Sequence, residues 1–200
     1  MIIDVSHLSD QAVLDVLQIS RVPVIASHSA FRHFTPGFER NISDELALAV
    51  AAKGGVIQIA FGIAFVNPQA AKDLQNYFNA SAALAKRNQQ AIADGKQPED
   101  QAAFDKTYWA AHPTPETQIN AVLDQFDYAV KLIGIDHIGI GSDFDGVSGN
   151  LPVGLKTVAD YPHLIAGLQA RGYNDEQLKK LLGGNLLRAW KSIEAGAIHK

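Results

Sequence analysis

Residues His137 to Gly146 read HIGIGSDFDG, and this stretch decides the fold class. The run His137–Ser142 is short, apolar and rich in isoleucine, which is typical of a strand covered on both faces in a parallel sheet. Asp143 follows the run directly. A carboxylate at that point lies at the carboxyl edge of the sheet, where parallel α/β proteins carry their active sites.

Three other short apolar runs predict strands of the same kind, at Ile2–Val5, Val22–Ala26 and Val56–Phe61. A helical pattern follows each strand, and Ser9 and Ser43 are suited to cap the first two helices. This alternation predicts an α/β fold, with a parallel sheet and crossover helices. Four such βα units make half of a TIM-like (β/α)8 barrel, which typically needs about 250 residues.

The segment 68–112 breaks the alternation, because it is long and rich in Ala, Gln, Asn and Lys. We predict a helical insertion there, formed by two helices on the rim of the fold. Thr114-Pro115-Glu116 is expected to begin the next helix, with Pro115 at its first position, and Gly134 to end it. Three more helices are predicted after the fourth strand, at Val158–Ala170, Asp175–Leu182 and Asn185–Ala195. Residues 1–200 are expected to form a single partial barrel domain.

Composition excludes several classes of protein and of site. The 200 residues contain no cysteine, so a disulfide framework and a cysteine zinc site are excluded, and a metal ion would need His, Asp or Glu ligands. A net charge of −4 argues against nucleic acid or an anionic membrane as partner. No apolar run is long enough for a transmembrane segment. The N-terminus lacks signal-peptide features and begins within a predicted strand, so we expect the chain to start late in its domain.

Two histidines are placed like Asp143. His7 follows IIDVS and His28 follows VPVIAS, each just past the carboxyl end of a predicted strand. Two neutral imidazoles and a carboxylate at one mouth form a donor set that zinc or a similar divalent ion uses. The alternatives are ordinary: each histidine could be a hydrogen-bonded loop residue and Asp143 a helix N-cap, while Asp145 is expected to be a turn carboxylate.

Arg40 lies in FERNISDE, in the loop that leaves the His28 strand. Its guanidinium could bind a substrate carboxylate through two parallel hydrogen bonds. From spacing alone, a surface ion pair with Glu39 or Glu45 is the favoured interpretation. A dinucleotide-binding loop is excluded at Gly139-Ile140-Gly141, because position 144 is Phe where that motif needs a third glycine.

Six stretches together resemble the membrane or renal dipeptidase family (peptidase family M19), which includes many bacterial dipeptidases. They are IIDVSHLS, PVIASHS, the RN of FERNISDE, GGVIQIAF, IDHIGIGSDFDGV and DYPHLIAGLQARGYNDEQLKKLLGGNLLR. The resemblance implies a (β/α)8 barrel that hydrolyses dipeptides at a binuclear zinc site, with this chain as the C-terminal half of a bacterial-type member. It also implies that His7 and His28 bind one zinc ion, Asp143 shuttles a proton, and Arg40 binds the terminal carboxylate of the dipeptide.

The chain departs from the family pattern in what it lacks. The family also has a His-x-Asp motif on its first strand, a glutamate that bridges both metals and a histidine at the oxyanion, and none of these is found here. We therefore expect a fragment, which is either the product of a truncated or internally started gene or a piece made deliberately. The alternative to an enzyme is a catalytically inactive half-barrel or assembly module that pairs through exposed strand edges, with a second copy as one candidate partner. The sequence does not fix the localisation.

Overall fold

The computed structural model describes residues 1–196, which contain a parallel sheet of three strands. The strands are β1 (Ile25–Ser29), β2 (Val56–Ala60) and β3 (Ile138–Ser142), side by side in chain order. Ile25 lies beside Val56, and Ile57 beside Ile138. The predicted α/β class with a parallel sheet is therefore confirmed.

The strand predicted at Ile2–Val5 is wrong, because only one residue pair forms there. Asp4 makes an isolated parallel bridge with Ile25, and the Val5 N–H donates to the Ile25 carbonyl over 2.8 Å. The Asp4 side chain accepts from the Ser6 N–H, and His7 then turns the chain with φ 69°. The local turn thus ends the pairing. The prediction Val22–Ala26 is also early, since β1 begins at Ile25.

The other main elements of the described chain are helices. The caps predicted at the first two are confirmed: the Ser9 hydroxyl accepts from the Ala12 N–H, and the Ser43 hydroxyl from the Leu46 N–H, each over 3.3 Å. The helices are α1 (Asp10–Ile19), α2 (Asp44–Ala52), α3 (Ile63–Val66), α4 (Pro68–Ala93), α5 (Gln101–Ala111), α6 (Asn120–Ile133), α7 (Tyr161–Ala170), α8 (Asp175–Lys179) and α9 (Asn185–Ala195).

The predicted insertion is confirmed as the two helices α4 and α5. They pack through aromatic rings, with the Tyr77 and Trp109 centroids 5.0 Å apart. The Tyr108 hydroxyl donates to the Asp73 carbonyl over 2.8 Å, which links α5 to the first part of α4. These contacts hold the two helices as a hairpin beside the sheet.

The helix predicted to start at Pro115 starts five residues later, at Asn120. The Val153 N–H donates to the Thr117 carbonyl over 2.8 Å, and the Ile119 N–H donates to the Val153 carbonyl over 3.2 Å. This bridge pairs Gln118 with Val153 of a distant loop, so the helix begins only after it. The end of the helix is as predicted, with Gly134 directly after Ile133.

The core lies between the sheet and the helices that flank it. Its fully buried side chains include Ile57, Ile59, Phe61, Phe126 and Leu164. Burial of such side chains stabilises each by about 1.5–3 kcal/mol. Within residues 1–196, no helix has the length and apolar character that a membrane crossing requires.

Candidate active site

The structure brings His7 and His28 together. His7 lies in the turn after the Asp4 bridge, and His28 is the fourth residue of β1. Their Nε2 atoms are 2.9 Å apart and their ring centroids 5.0 Å apart. Two segments separated by 21 residues therefore point imidazole nitrogens at one place.

Arg40 lies against the same pair. Its Nη2 is 3.1 Å from His7 Nε2 and donates to the His28 carbonyl over 2.8 Å, while Nη1 donates to Ser29 Oγ over 3.3 Å. The guanidinium also stacks 5.1 Å above the Phe65 ring. The ion pair expected between Arg40 and a neighbouring glutamate is not formed within residues 1–196. The arginine that binds a carboxylate in this region is Arg32. Burial lowers the pKa of Arg40.

Asp143 follows β3 directly, as predicted, but it does not cap a helix. Residues 144–149 form a succession of turns, which include the exposed Asp145. A Cβ on Gly146 would lie only 2.3 Å from Asp143 Oδ1, so the carboxylate folds back over a position that only glycine can occupy without displacement. The turn therefore sets where the Asp143 carboxylate lies.

The backbone is unusual at two of the candidate residues. His7 has φ 69° and Asp143 has φ 63°, and the preceding Ser142 has φ 47°. Residues other than glycine rarely adopt this left-handed backbone conformation, and those that do cluster at functional sites. Ser142 is held by a hydrogen bond between its hydroxyl and that of Tyr161.

The electrostatic environment favours the neutral form of His7. Partial desolvation lowers the pKa of His7, and the positive charge of Arg40 and the neighbouring His28 lower it further, against the opposing effect of Asp143 and Asp4. A metal ion binds the neutral imidazole, so this environment is compatible with a ligand role.

The lowered pKa of His7 predicts a pH dependence of stability. The unfolded chain takes up this proton near the ordinary value of 6.5, before the folded chain does. The free energy of unfolding of metal-free protein should therefore fall as the pH drops below about 6.5. In His7→Asn, which tolerates positive φ, this decrease should be smaller. Urea unfolding at neutral and mildly acidic pH measures the difference, and equal decreases in both proteins would contradict the prediction.

A cavity of about 840 Å³ opens beside this group. His7, Arg40 and Asp143 line one side of it, and His28 joins them through its contact with His7. The facing side comes from the α4–α5 hairpin and is largely aromatic, with Tyr77, Phe78 and Trp109. The insertion is therefore a wall of the cavity, which sequence reasoning did not predict.

The donor set fits part of a metal centre. Two imidazole Nε2 atoms converge, and imidazole is a common ligand of zinc. In the part of the chain that the structure describes, no three or more His, Cys, Asp or Glu side chains are grouped so as to hold a metal ion. Catalytic zinc normally has three protein ligands, so the histidine pair supplies two ligands of a larger set.

Some residues of the site were missed by sequence reasoning. The Asp4 carboxylate and the Ser27 hydroxyl lie beside His28, and the Phe65 ring lies beside Arg40. Asp4 and Ser27 stand within the stretches IIDVSHLS and PVIASHS, so a search of the neighbours of each histidine for carboxylates and hydroxyls would have found them. No comparable sequence signal marks Phe65.

Comparison with known proteins extends over the whole chain. The model of the family described as membrane dipeptidase (peptidase family M19) matches residues 1–199. Dipeptidase ataJ of Aspergillus terreus is 32% identical over 199 residues, which are 100% of this chain and 38% of that protein. An uncharacterized protein in the pqqA 5′ region of Klebsiella pneumoniae is 31% identical over 96% of this chain and 55% of its own length.

Solved structures give the same picture. The probable dipeptidase PvdM from Pseudomonas aeruginosa superposes with a TM-score of 0.76 at 31% identity, over 98% of this chain and 51% of its own. A metallo peptidase from Rhodobacter sphaeroides, liganded with a phosphinate mimic of the dipeptide L-Ala-D-Ala, has a TM-score of 0.69 at 24% identity, over 94% of this chain and 41% of its own, and shows likeness of fold alone. The chain thus spans between 38% and 55% of the length of these relatives.

Proposed function

Because the chain belongs to the membrane dipeptidase family (peptidase family M19), we propose that it is part of a zinc-dependent dipeptidase. His7 and His28 would bind one metal ion. Arg40 would bind the substrate, and Asp143 would transfer a proton. The observation that carries this proposal is the 2.9 Å approach of the two Nε2 atoms at the carboxyl edge of the sheet. Arg40 contacts His7 there, and Asp143 lines the same cavity.

The fold proposed for the whole protein is a (β/α)8 barrel, of which residues 1–200 form a single partial domain. The three parallel strands in chain order, each joined to the next through helices, support this. The 51% share of the PvdM chain that is matched corresponds to half a barrel, and we assign that half as the C-terminal one.

The two histidines would hold zinc through Nε2, and the complete family site would contain two zinc ions. Bound metal would supply Lewis-acid polarisation of the peptide carbonyl and activation of water. The contribution of this chain is to present two imidazoles at one point, with burial and the charge of Arg40 lowering the pKa of His7.

Arg40 would bind the terminal carboxylate of a dipeptide. Its guanidinium is half-buried at the cavity, stacked on Phe65 and free of a protein carboxylate among residues 1–196. An anionic substrate group would pair with this charge in a fork of two hydrogen bonds. The aromatic wall of Tyr77, Phe78 and Trp109 would offer apolar surface to the side chains of the dipeptide.

Asp143 would carry the proton that the leaving amine needs. In hydrolysis the peptide C–N bond breaks, water adds its oxygen to the carbonyl carbon, and one proton from water must reach the amine nitrogen. A carboxylate that folds over Gly146 and lines the cavity is placed to accept that proton and pass it on.

An assembly module without activity is the second candidate function. The incomplete ligand set favours this candidate, since no third ligand joins the histidine pair within residues 1–196. The strand β3 stands at one edge of the sheet, and an open edge is suited to pairing with another chain, including a second copy, whereas the Asp4 bridge covers part of the β1 edge.

Dipeptide hydrolysis by residues 1–200 with added Zn²⁺ separates the two candidates. The dipeptidase proposal predicts turnover that depends on zinc, that His28→Ala abolishes and that His163→Ala, a change at an exposed histidine of α7, leaves intact. Absence of zinc-dependent turnover, or turnover that survives in His28→Ala, would contradict it and favour the assembly module.

A further inference from the structure

We propose that Asp4 and Ser27 are positioning residues that fix the tautomer of His28, so that its Nε2 presents a lone pair toward His7. The inference rests on the proposed function for its purpose, which is to prepare His28 as a metal ligand. The hydrogen-bond chain itself can be tested without metal. It runs from the Asp4 carboxylate through the Ser27 hydroxyl to His28 Nδ1.

The geometry of the chain is complete at each step. His28 Nδ1 is 2.7 Å from Ser27 Oγ, and the Ser27 hydroxyl in turn contacts Asp4 Oδ2. The other carboxylate oxygen, Asp4 Oδ1, accepts from the backbone N–H groups of Ser6 and Ser27, each over 3.0 Å. The two carboxylate oxygens of Asp4 therefore have different hydrogen-bond partners.

Counting protons gives the direction of every bond. An ionised carboxylate only accepts, so the single hydroxyl proton of Ser27 must go to Asp4. Ser27 Oγ is then an acceptor toward its other neighbour, and His28 must carry its proton on Nδ1. A neutral imidazole has one proton, so Nε2 is left with a lone pair.

The contact with Arg40 shows which nitrogen of His7 is unprotonated. A guanidinium has donors only, and Arg40 Nη2 is 3.1 Å from His7 Nε2, so that nitrogen also presents a lone pair. With His7 Nε2 accepting from Arg40, no N–H lies between the two Nε2 atoms, which are 2.9 Å apart. A cation that binds both nitrogens would take the place of the Arg40 N–H at His7. Outer partners that orient metal-binding histidines in this way are a general feature of metal sites.

A purely structural role for Asp4 is the rival explanation, since its Oδ1 already holds two backbone N–H groups. Asp4→Asn separates the two roles. The amide oxygen should stay at the Oδ1 position, where it keeps both backbone bonds, which places the NH₂ group against Ser27. The hydroxyl of Ser27 would then accept from Asn and donate to His28 Nδ1, which would move the imidazole proton to Nε2.

The test is nitrogen-15 NMR of imidazole-labelled residues 1–200, with a chelator present and at mildly alkaline pH. We expect a protonated Nδ1 and a lone-pair Nε2 on His28 in the wild type and in Ser27→Thr. Asp4→Asn should reverse the two signals, and Ser27→Ala should populate the Nε2-protonated form. Ser192→Ala, at an exposed serine of α9, is the control that should match the wild type.

The result that overturns the proposal is a protonated Nε2 on wild-type His28, or an Asp4→Asn spectrum with the proton still on Nδ1. The wild-type spectrum decides the first point even if a variant fails to fold, which circular dichroism reveals. A titration with Zn²⁺ then tests the purpose: Asp4→Asn and Ser27→Ala should weaken zinc binding by about 10- to 100-fold. If wild-type protein fails to bind zinc while the tautomers behave as expected, the proposed function fails and the positioning role stands.

Discussion

Asp143→Asn is expected to lower kcat for zinc-dependent dipeptide hydrolysis by about 10²–10⁴-fold, the usual contribution of a positioned acid or base. The amide does not act as an acid or base near neutral pH, so proton transfer is lost. It is close in size to the carboxylate, so KM should change little. The backbone at φ 63° also tolerates asparagine, which keeps the turn intact. Steady-state kinetics on one dipeptide measures both constants.

Asp145→Asn is the matched control for this change. Asp145 lies two residues away in the same series of turns, is exposed and is not part of the cavity group proposed here. The change should leave kcat near the wild-type value. A similar loss in both variants would indicate that the turn as a whole, and not the Asp143 carboxylate, determines the rate.

Arg40→Met is expected to weaken dipeptide binding by roughly 10²–10⁴-fold. Two charge-assisted hydrogen bonds to a carboxylate contribute about 1.5–3 kcal/mol each, and about 1.4 kcal/mol corresponds to tenfold in affinity. Methionine retains much of the apolar stem above Phe65 while removing the charge. Calorimetric binding of a dipeptide to zinc-loaded protein measures the change.

The dipeptide amide provides the internal comparison, because it lacks the terminal carboxylate. It should bind wild-type protein and Arg40→Met with similar affinity. Arg87→Met is the control variant, since Arg87 lies on α4 and pairs with Glu99 at the surface. Equal losses for the dipeptide and its amide would assign Arg40 to the structure of the cavity wall.

Local patterns were sufficient for the elements whose ends are set by their own residues. The hydroxyl caps of α1 and α2 could be predicted because Ser9 and Ser43 bond to N–H groups only three residues away. The start of α6 could not, since a bridge to Val153 of a distant loop holds Gln118 outside the helix. At the N-terminus the Asp4 carboxylate accepts from the Ser27 N–H of β1 as well as from the Ser6 N–H, and the apolar run Ile2–Val5 gave no sign of that contact with β1.

The candidate site was predictable in its positions and not in its contacts. Asp143 follows β3 directly, as expected, whereas His7 follows a single bridge rather than a strand and His28 is the fourth residue of β1 rather than the residue after it. Spacing favoured a surface ion pair for Arg40, whereas the folded chain places it on the histidine pair. The aromatic wall of the cavity depends on how the α4–α5 hairpin packs, which no local pattern reports.

The central claim is that His7 and His28 together bind one metal ion, and X-ray absorption of the protein loaded with one equivalent of Zn²⁺ tests it most directly. We expect two imidazole ligands at about 2.0–2.1 Å in the wild type and in His163→Ala. His7→Ala and His28→Ala should each retain a single imidazole, with weaker binding. An unchanged imidazole count in both of these variants, or no bound zinc in the wild type, would contradict the claim.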